Sequence, residues 1–128
     1  MYIRFVTEEM DEDAHRPVGV FQVVYRLLKN GELDEAAHDR LREHLDWFRK
    51  NLDAPDRVTR TRRPDAPGKA ISWFKPTAVE HIRRMRAMCD ELFEHGVVVR
   101  MIKAERTGFV VFEDEHQVVA EPFVDVGR

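Results

Sequence analysis

The chain has 128 residues, 43% of them hydrophobic, and carries a formal net charge of −3 at pH 7. That length suits one core of ordinary size, because domains cluster near roughly 100–150 residues. A single cysteine, Cys89, excludes an internal disulfide. No apolar run approaches the roughly 20 residues that span a bilayer, and Met1–Val6 is too short for a signal segment. The expectation is one α+β domain over residues 1–128, in the cytoplasm, with no membrane partner.

The net charge conceals an uneven distribution. Residues 1–56 hold 8 Lys/Arg against 13 Asp/Glu, residues 57–86 hold 9 against 2, and residues 87–128 hold 4 against 9. A basic centre between acidic flanks fits an anionic partner, and it also fits a chain that pairs its own charges.

In chain order, Tyr2–Val6 is β-rich and reads as a first strand, followed by an acidic loop over Glu8–Asp13. Pro17 suits a first helical position and Asn30-Gly31 a stop, which predicts a helix over Pro17–Lys29. Its polar positions Gly19, Gln22, Arg26 and Lys29 fall in one narrow stripe, so this is the core helix. Asp34 is an N-cap for a second helix reaching about Leu52, with Ala37, Leu41, Leu45, Phe48 and Leu52 on one face. Trp47 lies off that face, toward solvent, a partner or the root of the next loop.

The stretch at about 53–70 is basic and punctuated by proline, and it predicts an irregular loop. Ala70–Phe74 adds a short strand whose Trp73 and Phe74 read as core anchors. Thr77 to Glu80 matches a capping box and opens a third helix that stops near His95-Gly96. Its apolar arc contains Ala78, His81, Ile82, Met85, Met88, Cys89, Leu92 and Phe93, and Glu80–Arg84 and Arg86–Asp90 are spaced for ion pairs. Beyond Gly96 the period becomes 2. Strands are predicted over Val97–Lys103, Phe109–Glu113 and His116–Ala120, as a meander with a tight Asp114-Glu115 turn, until Pro122 ends the ladder. The fold class is a two-layer α+β arrangement, order β-α-α-(β)-α-β-β-β. Three helices cover a mainly antiparallel sheet of four to five short strands.

Candidate chemistry centres on the loop. Arg57, Arg60, Arg62, Arg63 and Lys69, extended by Arg83 and Arg86, are candidate anion-binding residues, because cations near aromatics grip phosphates and stack bases. The competing reading is a solvated loop neutralised by Glu8–Asp13 or Glu113–Glu115. Metal-ligand spacing is lacking: His38 and His44 point about 120° apart on a helix. Cys89 and His81 share a buried arc, where a thiol is inert. No metal or cofactor is expected. Trp47 is a candidate partner contact. Val118-Val119-Ala120, near the chain end, offers an edge for a homodimer.

One constellation has an enzymatic counterpart. Arg4 on the first strand, Ser72 near the middle and Glu113-Asp114-Glu115 on a late hairpin loosely resemble the Arg, Ser and Glu-x-Glu elements of ADP-ribosyltransferases. The resemblance implies NAD held between two sheets by Arg4 and Ser72, with Glu115 orienting the ribose and Glu113 preceding it. Here Ser72 is followed by Trp73-Phe74, where that family has small residues. The leading expectation is a binding protein whose basic loop meets nucleic acid or an acidic protein surface; a small NAD-binding enzyme is the alternative.

Overall fold

The computed structural model describes residues 1–11, 16–53 and 70–122. Its elements are β1 (Tyr2–Asp11), β2 (Arg16–Gly19), α1 (Val20–Asn30), α2 (Glu35–Asn51), β3 (Ile71–Phe74), α3 (Val79–Glu94), β4 (Val99–Ala104), β5 (Phe109–Glu113) and β6 (Gln117–Glu121). The α+β expectation holds, with six strands among the described residues rather than four or five.

β1 organises the sheet. Val6 pairs with Gly19 on one edge and with Arg100 on the other, while Ile3 pairs with Phe74 and Lys103. A strand has only two edges. β4 therefore occupies one edge of β1, and β3 and β2 share the other end to end. The sheet continues from β3 to β6 and then β5, every pairing antiparallel.

Three expectations are corrected here. Glu8–Asp11 is not loop: the strand runs on to Asp11 and pairs with β2 past an irregularity between Val6 and Met10. Backbone pairing rather than side-chain burial holds this part, and Glu8, Glu9 and Met10 stay exposed. Pro17 lies in β2, not in a helix; α1 starts only after Gly19, whose N–H donates to Gln22 Oε1 at 3.0 Å. The last strands also form no meander. β4 joins β1, and β6 inserts between β3 and β5, so Val118–Ala120 is fully enclosed rather than an open edge.

The helices end as their sequences indicate, with one exception. Gly31 closes α1 at φ 72°, a conformation that disfavours other residues, and Asp34 accepts from Ala37 N at 2.8 Å to cap α2. At α3 the N-cap is Ala78, without a side-chain bond. Glu80 is drawn instead to Arg83 and Arg84, so the predicted capping box does not form.

Phe5 of β1 and Phe74 of β3 meet Val20, Val23 and Val24 of α1, Leu41, Leu45 and Phe48 of α2, and Met85, Met88 and Leu92 of α3 in one core. Most of the predicted core positions are buried, whereas Phe93 (68% exposed) and Tyr25 (40%) are not. Between α2 and α3, Arg40 forks onto the buried Glu91 at 2.7 and 3.1 Å. No helix among the described residues is long and apolar enough to cross a membrane.

Candidate functional site

Arg57, Arg60, Arg62, Arg63 and Lys69 lie outside the described residues. The described residues on either side of that stretch are joined by one side chain. Gln117 opens β6 with no exposed surface. Its amide donates to Asp53 O at 2.8 Å, just before the segment, and accepts from Ser72 Oγ at 2.9 Å, just after it. It also donates to Asp114 Oδ2 at 3.2 Å.

Asp114 in turn shapes the hairpin beneath. Its Oδ1 accepts from the backbone of His116 (2.8 Å) and Gln117 (2.9 Å), and its own N–H donates to Gln117 O (3.0 Å). An aspartate bonding its backbone two residues on replaces the glycine that a tighter turn requires. The loop is therefore Asp114–His116, one residue longer than predicted. Burial opposes the ionised form of Asp114, yet these donors outweigh it and hold the carboxyl below its ordinary range.

His116 is placed by this turn. Its carbonyl accepts from Lys75 N at 2.9 Å, and its ring stacks on His81 of α3 with centroids 4.2 Å apart and 28° between planes. His81 is 5% exposed, and its Nε2 lies 2.7 Å from Asn51 O, so Nε2 carries the proton and donates to that carbonyl. This confirms a satisfied core histidine. Trp47 meets the edge of His81 at 4.8 Å, and the Arg84 guanidinium lies 5.1 Å from the Trp47 ring centre. The result is a ladder from Arg84 through Trp47 and His81 to His116. It joins α2, α3 and the β5–β6 hairpin where Asn51 and Asp53 lead into the basic segment.

Nothing in the spacing of the sequence marks this ladder. Trp47 was visible as a residue off the core face, but the rest of the ladder comes from α3 and the β5–β6 hairpin, brought to it by tertiary packing. Trp47 is half-buried against Phe48 and His81 rather than solvent-facing.

The other candidates divide. Arg83 is bound within its own helix, with Nη2 at 2.7 Å from both carboxylate oxygens of Glu80. Its charge is locally answered, so it extends no open basic patch. Arg86 donates to Met101 Sδ at 3.4 Å. Phe74 is core, and Trp73 is half-buried opposite Val118, with no partner for Nε1 among the described residues. Burial, with Asp90 nearby, pushes the Cys89 thiol up to about 12, so it stays protonated and unreactive. Burial, and then the charge of Arg84, lower the His44 imidazole below its ordinary value. No group of three or more His, Cys, Asp or Glu suited to a metal ion occurs among the described residues.

Arg4 and Ser72 do line one cavity, of about 260 Å³, with Phe5, Val20, Leu52 and Phe74. The acids are elsewhere. Glu113 is on β5, beyond β6, and its Oε2 takes Lys75 Nζ at 2.6 Å. At about 4.8 Å per strand, β5 lies about 10 Å from the strand of Ser72 and about 14 Å from that of Arg4. Glu115 is on the exposed turn. The described strands form one sheet, so the two-sheet dinucleotide cleft that the resemblance implies is not what these residues build. Compared with known protein families, curated proteins and solved structures, the chain matches none.

Proposed function

We propose that the protein binds nucleic acid through the basic segment Arg57–Lys69 and the aromatic ladder beside Asp53. The observation that carries this reading is the ladder itself. Arg84, Trp47, His81 and His116 form a continuous run of flat groups beside the point where the basic sequence leaves α2. Arg84 is already held by Glu80 at 3.3 Å, so the cations this reading needs are those of the basic sequence, and aromatic faces near such cations are what single strands and exposed bases engage.

Two of the acids able to quench the segment's charge are already engaged. Glu9 accepts both Arg26 guanidinium nitrogens at 2.7 and 2.9 Å, and Glu113 holds Lys75. This weakens the competing reading of a loop neutralised from within. The Gln117 clamp on Asp53 and Ser72 supports the nucleic-acid reading further, since fixed flanks lower the conformational freedom lost on binding.

The test is fluorescence anisotropy with a short labelled oligonucleotide across a salt series. Wild-type affinity falls steeply with salt, as neutralised phosphates release counterions. Replacing Arg57, Arg60, Arg62 and Arg63 together by Ala reduces the slope of log K against log salt by about 3 and weakens binding at every salt concentration. An unchanged slope in this variant overturns the proposal. So does salt-dependent binding to poly-glutamate with none to the oligonucleotide, which assigns the segment to an acidic protein instead.

A further inference from the structure

The ladder ends in a ring with one side covered. His116 stacks on the buried His81, yet its side chain remains 35% exposed. Two bonds fix the backbone of His116, and the ring is backed by its stack on a tied neighbour. Asp114 Oδ1 holds the His116 N–H, Lys75 N holds its carbonyl, and His81 is itself tied to Asn51 O. An imidazole stacked on a fixed neighbour is restrained on that side, which lowers the entropic cost of a second flat group stacking on it.

We infer that His116 is a stacking platform for an unpaired nucleobase, and hence that the ligand is single-stranded rather than duplex. The inference rests on the nucleic-acid reading above and adds the class of strand. A base inside a duplex has both faces covered by its neighbours and cannot present one to an isolated ring on a hairpin turn. An unpaired base can. Every base has a π-face, so the platform takes bases with little regard to sequence. The paired carboxylate of Glu113 and the anchored Asp114 leave Glu115, 3.9 Å from His116 Nε2, as the acid beside the ring. Its like charge to phosphate keeps the backbone away and turns the base, not the sugar-phosphate, toward the ring.

The experiment compares a short oligothymidylate with a blunt duplex of equal length, using wild type, His116→Ala and His116→Phe. Wild type prefers the single strand. His116→Ala lowers affinity for it by roughly tenfold, in line with loss of one base–aromatic stack, and leaves the salt slope unchanged. His116→Phe, which keeps a flat ring, restores most of the binding, and circular dichroism verifies the fold of both variants. Equal affinity for single strand and duplex in wild type overturns the inference. So does His116→Ala binding like wild type, or a loss in His116→Ala that Phe does not restore. Failure of the broader reading is distinct: it appears as an unchanged salt slope in the four-arginine variant, whatever His116 does.

Discussion

Gln117→Leu is the sharpest test of how the site is held. Leucine has nearly the volume of glutamine and keeps the packing of a position with no exposed surface, while it deletes the amide. Three bonds disappear: those to Asp53 O (2.8 Å), Ser72 Oγ (2.9 Å) and Asp114 Oδ2 (3.2 Å). Each such bond contributes about 1 kcal/mol net, and more where the abandoned partner stays dry. Asp53 and Ser72 are exposed and regain water, whereas half-buried Asp114 loses a donor to its carboxylate. The expected cost is about 2–3 kcal/mol. With a urea dependence of about 2 kcal/mol per molar, the unfolding midpoint falls by roughly 1 M at constant m.

The loss also has a pH signature. The carboxyl of Asp114 titrates below its ordinary value in the folded protein, so its contribution is present above the unfolded-state pKa and lost as pH falls through the folded one. Part of that depression comes from Gln117, so the gap in stability between wild type and Gln117→Leu narrows on acidification. A midpoint shift below about 0.3 M, or a gap that stays constant to acid pH, refutes the clamp as described.

Other expectations follow from single contacts. Gly108 sits at φ 121°, and an added Cβ there would lie 2.1 Å from Glu121 O, a backbone atom that cannot swing aside. Gly108→Ala thus combines backbone strain with overpacking and lowers stability by about 3 kcal/mol, measured by thermal unfolding; a change under about 1 kcal/mol contradicts the geometry. The Arg40 guanidinium holds the Glu91 carboxyl below its ordinary range, with His95 assisting, so this clamp also weakens as pH falls through the folded value. Glu91→Gln costs about 2 kcal/mol at neutral pH, less than for a fully dry pair because Arg40 is half-exposed, and flattens the acid limb of the stability curve.

How much of this was legible beforehand differs by element. α2 and α3 announced themselves through local signals, with Asp34 as a cap, Gly96 as a stop and apolar residues at helical spacing, because i to i+4 contacts are written within one segment. Phe109–Glu113 was legible as a strand through another local signal, its β-rich residues and the change of period to 2 after Gly96. Glu8–Asp11 was not, since its acidic side chains argue for solvent while its backbone is paired by β2, a partner that no local pattern names. The site divides likewise. The positive charge of residues 57–86 is a property of composition and stands without any coordinates.

The ladder depends on distance along the chain. Trp47, His81 and His116 are separated by more than thirty residues each, and only the insertion of β6 between β3 and β5 brings the hairpin under α3. Strand order in an antiparallel sheet is settled by which hydrophobic faces close one core, a global sum over all pairings that alternation within one strand cannot encode. Composition and periodicity thus determined the fold class, the helices and the charge. The tertiary structure alone decided that Gln117 would join Asp53 to Ser72, on either side of the basic segment, and that His116 would stack on His81.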